Sequence, residues 1–328
     1  MDGANSAFLR RVLAMVVLAM AIGVWSGCPD DGGGENDGGQ DSGQDSGSGA
    51  DGGSDAGGDA GDGCCDAGAD AGSDAGSDAG GGIDPSLDVR DQSPALSTEV
   101  VITGVTAAAA GWVVVNAPLS DGGATSGFSP VSIGTSSLVK VAVGDPLVNG
   151  TTVAAELHQD LGAAGTYEPG VDPLVQNNAG MPVQGTFLVT VPAGTPAVRY
   201  TFSPTFNGSA FVWRVAAAPA RFASTLSTTG DNPQLTLFTG WRYEAVDPAF
   251  GVHPFELANA TGSDTILLSQ KADAGTMKDD PTIAWEDGRN ASGASRFTLS
   301  PSLQAQLNLY RCGVHFGSMR SPVVIQTR

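Results

Sequence analysis

The stretch "LNLYRCGVHFGSMRSPVVIQ", Leu307 to Gln326, sets a thiol, an imidazole and a thioether within eight residues, at Cys312, His315 and Met319. The apolar and β-branched runs on either side, "LNLYRC" and "SPVVIQ", predict two strands, and Gly313, Gly317 and Ser318 predict a tight loop between them. A cysteine leaving a strand, followed by such a loop and a return strand, can aim three side chains at one point. From Asp84 onward Cys312 is the only cysteine. In an oxidising compartment structural cysteines come in pairs. A disulfide to Cys64 or Cys65 is one outlet for this thiol; a metal is the better account.

A fourth donor has to come from elsewhere, and the chain has only three histidines, His158, His253 and His315. His253 stands in "FGVHPFEL", shortly after the strand-like "WRYEAV". Two imidazoles, one thiolate and a weak thioether form the ligand set of a blue-copper electron-transfer site. Zinc prefers more thiolate or imidazole and rarely recruits methionine. Iron–sulfur clusters need more cysteines. Copper remains by elimination, and the donor set suits both of its common oxidation states. Multicopper oxidase or nitrite reductase chemistry would need a further copper held by several histidines, and only His158 is left over. The chain also lacks a His-Glu-x-x-His motif, a P-loop and a Gly-x-Ser-x-Gly elbow. The expectation is an electron carrier, not an enzyme, with no small-molecule substrate.

These residues resemble the cupredoxins, the blue-copper family. "HPFEL" looks like the family's first-histidine strand, and "YRCGVHFGSM" looks like its Cys-x-x-His-…-Met loop before the final strand. "NPQLTLFTGWRYEAV", Asn232 to Val246, resembles the strand pair that precedes the first histidine. The similarity spans roughly Pro196 to Arg328. It implies a Greek-key sandwich holding one type 1 copper. His253 and His315 would be the imidazole ligands, Cys312 the thiolate and Met319 the long axial contact. It further implies outer-sphere electron transfer with a redox partner protein. Phe316 and Pro254 would supply apolar docking surface. Arg311 and Arg320, which flank the loop, would favour an acidic partner face or simply be solvated. Two other function classes stay open: a surface copper-handling lipoprotein, and a non-enzymatic adhesion or scaffold protein.

Upstream, short alternating or β-branched runs separated by Gly, Pro, Asn and Asp predict an all-β chain: "TEVVITGV", "GWVVV", "SLVKVAV", "TTVAAEL", "GTFLVTV", then "AFVWRVA", "QLTLF", "TILLS" and "SRFTLS". Their number suits two β-sandwich domains, 84–195 and 196–328, joined near "VPAGTPAV", Val191 to Val198. Asp91-Gln92, "GWVVV", "LHQDLGAAGTYEPG" and "GTFLVTV" make the first of these similar to a family of secreted β-sandwich domains of uncharacterised function. That family implies no chemistry. Within it, His158, Asp160, Tyr167 and Glu168 read as a metal or ligand cluster or, more commonly for such residues, as a hydrogen-bonded turn between two strands.

The N-terminus is of another kind. Arg10-Arg11 followed by "VLAMVVLAMAIGVW" predicts a signal peptide over 1–27, because the run is shorter than the ~20 residues of a membrane span. "SGC" resembles a bacterial lipobox with Cys28 as the lipidated residue; cleavage without lipid is the alternative. Residues 28–83 predict a disordered linker rich in Asp, Gly, Ala and Ser, since such a composition buries too little apolar surface to order. Its 14 acidic residues (29–82) are read as a solvated spacer, with calcium binding the lesser alternative and no calcium-loop motif present. Cys64-Cys65 reads as drift in a repeat, or as a transient copper site or cross-link. The implied location is across the inner membrane, lipid-anchored at the periplasmic face or cell surface of a bacterium. Net charge is −20 for the whole chain and −7 from Asp84 onward, which argues against nucleic acid as a partner.

Overall fold

The computed structural model describes residues 82–328, apart from 227–229, 261–263, 273, 290–291 and 328. The expected signal peptide, Cys28, Cys64, Cys65 and all but the end of the 28–83 linker lie outside the described residues. No helix among the described residues is long and apolar enough to cross a membrane. What is described is nearly all β, as the alternating runs predict, with sheets packed as sandwiches.

β1 (Ser86–Asp88), β2 (Glu99–Ala107), β3 (Gly111–Pro118), β4 (Ala124–Val131), β5 (Gly134–Ala142), β6 (Thr151–Gln159) and β7 (Gln184–Val189) form sheets of order β1-β2-β5 and β4-β3-β6-β7. Every pairing is antiparallel. Period-2 alternation points Val113 and Val115 of β3, Val153, Ala155 and Leu157 of β6, and Phe187 and Val189 of β7 inward. They meet Val100, Ile102, Val105 and Val141 from the facing sheet.

The remaining strands are β8 (Val198–Phe206), β9 (Phe211–Ala218), β10 (Leu235–Phe238), β11 (Arg242–Val246), β12 (Phe255–Asn259), β13 (Thr265–Ser269), β14 (Ala294–Thr298), β15 (Leu309–Cys312) and β16 (Arg320–Gln326). They form sheets of order β14-β11-β8-β9 and β10-β16-β15-β12-β13. Two pairs are parallel, β8 with β11 and β10 with β16. A second core lies here and is aromatic: Tyr200, Phe202, Trp213, Tyr243, Phe255 and Tyr310 are all fully buried. Phe202 holds the cluster together, with ring centroids 5.4 Å from Trp213, 4.9 Å from Phe255 and 5.6 Å from Tyr310. A one-turn helix α1 (Pro301–Gln304) feeds β15; Ser300 Oγ accepts from Leu303 N at 3.3 Å as its N-cap, with Pro301 at the start.

Two features of this half position a site. β12 pairs with β15 so that Phe255 lies opposite Cys312, which brings His253, two residues earlier, to the end of β15. β15 then turns back as β16, with Arg311 opposite Arg320, so residues 312–319 form the connecting loop.

Candidate metal centre

The loop after β15 is closed by its own backbone. Cys312 N donates to Met319 O at 2.8 Å, and Ser318 N and Met319 N both donate to His315 O, at 3.1 and 2.8 Å. That tight turn carries Val314 N and His315 N to Cys312 Sγ, at 3.4 and 3.3 Å. Two N–H dipoles aimed at one sulfur favour its thiolate form. From outside, Asn232 Nδ2 donates to Ser318 O at 2.7 Å while its Oδ1 accepts from Trp213 N at 2.8 Å, which ties the loop to β9. Asn232 sits at φ 51°, a left-handed conformation that asparagine tolerates better than most residues.

His253 arrives from the other side, at the end of a turn begun by Asp247. Asp247 Oδ1 accepts from Ala249 N at 2.9 Å, and His253 N donates to Ala249 O at 2.8 Å. Pro254 O then accepts Gly313 N at 2.8 Å, joining the two halves of the site.

The structure brings three of the four sequence-expected donors into contact. His253 Nδ1 and His315 Nδ1 are 3.1 Å apart, and each is 3.8 Å from Cys312 Sγ. The point equidistant from these atoms lies about 2.1 Å from each, close to metal–imidazole bonds of ~2.0 Å and metal–thiolate bonds of ~2.3 Å. Among the described residues this is the one His/Cys/Asp/Glu group close enough to hold a metal ion. Cys312 is a free, fully buried thiol, and His253 is buried beside it. Met319 is fully buried in the same core as Cys312. Burial pushes the Cys312 thiol up, and burial together with the charge of His315 pushes His253 down. The site therefore holds a thiol and a neutral imidazole at His253, and a metal bound there would have to displace the thiol proton.

Glu256, on β12, braces the loop. Its carboxylate is 2% exposed. Arg311 Nε donates to its Oε2 at 2.9 Å and Ser269 Oγ to its Oε1 at 3.0 Å. Lys271 Nζ lies 3.8 Å from the same carboxylate and donates to Gly313 O. A Cβ on Gly313 would stand 2.6 Å from Glu256 Oε1, so glycine is what lets the carboxylate pack against the ligand loop.

Asp247 is fully buried, and its Oδ2 has no hydrogen-bond partner. Burial raises its carboxyl to about 7. The folded state thus holds this proton where the unfolded chain, at about 3.9, has lost it. Its contribution to stability is fully present below about pH 4 and is lost as pH rises through about 7, with a slope of up to ~1.4 kcal/mol per pH unit. Urea unfolding of the metal-free chain between pH 4 and 8 should show Asp247→Asn gaining on the native protein as pH rises; parallel pH profiles would refute the assignment.

Two expectations about the rim change. Arg311 and Arg320 both reach Asp264, at 2.7 and 3.1 Å, and Arg311 also pairs with Glu256. Arg311 is thus mostly buried in internal ion pairs, while Arg320 pairs with Asp264 and stays 36% exposed. Pro254 is buried, so it adds no docking surface. Phe316 is exposed, with the Arg311 guanidinium 5.4 Å from its ring centroid; Val314, two residues before it, and Val252, next to His253, are exposed as well.

In the first sandwich, Asp160 and Glu168 shape a hydrogen-bonded turn after β6, and His158, near the end of β6, packs with Tyr167 of that turn. Asp172 Oδ1 accepts from Leu161 N at 3.0 Å and its Oδ2 from Glu168 N at 2.8 Å. Glu168 Oε2 accepts from Ala163 N at 2.6 Å, and Asp160 Oδ2 from Gly165 N at 2.9 Å. His158 Nδ1 lies 3.0 Å from Asp172 O, and its ring packs edge-on against Tyr167. Both oxygens of Asp172 and one each of Glu168 and Asp160 shape the loop, while Asp160 Oδ1 is buried without a partner.

Sequence reasoning missed Asn232, Phe211, Asp247 and Glu256 as parts of this site. Only Asn232 left a trace, as a lone Asn before Pro233 ahead of a strand.

Residues 85–190 match a family described as a domain of unknown function (DUF7282), a span that contains the first sandwich and none of the His–Cys–His group. Comparison with curated proteins found no match. Among solved structures, the chain is similar to a multicopper oxidase from Campylobacter jejuni, a metallo-oxidase, at 10% identity and a TM-score of 0.18, over 70% of this chain and 51% of that one. The chain spans about half the length of that neighbour.

Proposed function

We propose that the second sandwich is a cupredoxin-like domain binding one copper ion as a type 1 site, and that it works as an outer-sphere electron carrier. The observation that carries this is the His253–Cys312–His315 triangle, 3.1 by 3.8 by 3.8 Å, built on two buried residues and a loop fixed at both ends. A thiolate with two imidazoles in a three-cornered arrangement, with a methionine buried in the same core, selects copper over zinc or iron. Copper held there would supply a one-electron couple.

The chain's own residues do the rest. Cys312 gives up its proton, and the amides of Val314 and His315 stabilise the resulting thiolate. Glu256, Arg311 and Lys271 hold the loop from one side and Asn232 from the other, so the donors keep one geometry whatever the charge between them. The aromatic core around Trp213 and Phe255 keeps water from the buried side. His315 is partly exposed and offers the edge through which an electron would pass. With Arg311 and Arg320 paired to Asp264, the exposed Val252, Val314 and Phe316 beside the histidines form an apolar patch, and the partner it suits is a redox protein with a matching apolar face. We place the molecule outside the cytoplasm, anchored by lipid at Cys28.

Adding Cu(II) to the full chain and recording its visible and EPR spectra tests this. An intense thiolate-to-copper band with narrow copper hyperfine splitting is expected; a colourless protein with ordinary tetragonal copper would defeat it. Met319→Leu should keep the band while shifting its position and raising the reduction potential, as loss of a weak axial donor does in such sites. Unchanged spectrum and potential would show that Met319 is core filling only.

A further inference from the structure

β8 and β9 form a hairpin whose tip lies over the imidazoles. Phe206 pairs with Phe211 across it, with ring centroids 5.6 Å apart. The Phe211 ring centroid is 5.1 Å from that of His253 and 5.0 Å from that of His315, tilted 53° and 42° to them. The two imidazoles are themselves 4.7 Å apart and nearly parallel, at 29°. Two residues along β9, on the same face, Trp213 meets His253 at 6.1 Å. The tip is held firmly: Asn207 Oδ1 accepts from Ser209 N and Ala210 N at 3.1 Å, and its Nδ2 donates to Asp231 at 2.6 Å.

Phe211 has no atom to offer a metal, and at 39% exposed it stands between the two imidazoles and the solvent. The ring leans against both imidazoles, with Phe206 beside it, and is partly open to water. We propose that Phe211 is the cover of the metal centre: it holds the rings of His253 and His315 against each other and, while leaving the edge of His315 open, closes the position between their donor atoms to small exogenous ligands such as azide. This rests on the copper reading above and adds to it the reason why a metal there keeps to the protein's own donors. An open position beside the imidazoles would admit water or an anion, which is the arrangement of catalytic and not of electron-transfer centres. Phe211 acts through the imidazoles and is a positioning residue.

Two measurements on the full chain separate this from the copper assignment. In the metal-free protein, carbethoxylation by diethylpyrocarbonate, mapped by mass spectrometry, should be slow at the buried His253. It should rise roughly tenfold in Phe211→Ala, with His158 in the first sandwich unchanged as the internal control. In the copper-loaded protein, azide should leave the native visible and EPR spectra unaltered. It should bind Phe211→Ala at least roughly tenfold more tightly, with Phe211→Leu in between. If Phe211→Ala does not fold, Phe211→Leu carries both comparisons. Carbethoxylation and azide responses equal to native in the variants would overturn the cover. A native chain without a thiolate-to-copper band, in which Phe211 still protects His253, would defeat the copper assignment and leave the cover standing.

Discussion

Replacing Cys312 with serine will leave a folded protein that has lost its colour with copper. The side chain is fully buried and makes no disulfide, and serine differs from cysteine by one smaller atom, so the cost to the core is modest. The N–H groups of Val314 and His315 can turn to the hydroxyl as they do to the sulfur. What serine cannot provide is a thiolate. The alcohol keeps its proton at neutral pH, and the two imidazoles are left as a weak pair of donors. Loss of a supporting hydrogen bond around a metal already costs up to ~100-fold in affinity, and loss of the thiolate itself should cost more. Copper titration followed by visible absorption and EPR reads both effects. A serine variant that keeps the intense band would mean that the sulfur is not a ligand.

The second large effect is on folding, at a position far from the ligand loop in sequence. Gly293 sits at φ 63°, and a Cβ there would lie 2.0 Å from Asp247 O, 2.8 Å from Asp247 C and 3.1 Å from Phe250 Cδ1. The obstacle is backbone, which cannot swing aside as a side chain can. Its carbonyl also accepts Asp247 N at 2.9 Å and Gln270 Nε2 at 3.0 Å, while Gln270 Oε1 accepts Phe255 N at 2.7 Å. Gly293 therefore pins the turn that delivers His253. Gly293→Ala should cost about 3–5 kcal/mol, from the strained φ and the displaced turn together. It should lower the urea midpoint of the metal-free chain without changing the slope of unfolding free energy with urea. Gly251→Ala, in the same turn with nothing within 4 Å of the added carbon, should stay near native. Equal midpoints for both variants would show that the turn yields.

How much of this was legible in the sequence follows from distance along the chain. Cys312, His315 and Met319 share one loop, and local spacing exposes them. His253 is 59 residues from Cys312, yet it was reachable because three histidines leave few choices. Nothing local marks Phe211, Asp247 or Gly293, and Asn232 leaves only the trace of an Asn before Pro233; they converge on the site through the packing of β9, β12 and β15. The arginines illustrate the limit. Arg311 and Arg320 read as loop-flanking charge, but their partner Asp264 lies beyond β12 and before β13, and no spacing rule links them. Among the strands, β4 was missed because "ATSGFSPV" mixes Gly and Pro with small polar residues. β8 was missed because of Pro204. Its ladder with β11 ends at Thr201, so the missing N–H of Pro204 falls where β8 has β9 as its only pairing neighbour.

X-ray absorption at the copper edge of the loaded full chain tests the three-cornered site most directly. The account predicts one short sulfur at about 2.1–2.3 Å and two imidazole nitrogens near 2.0 Å. A first shell of nitrogen and oxygen alone would contradict it.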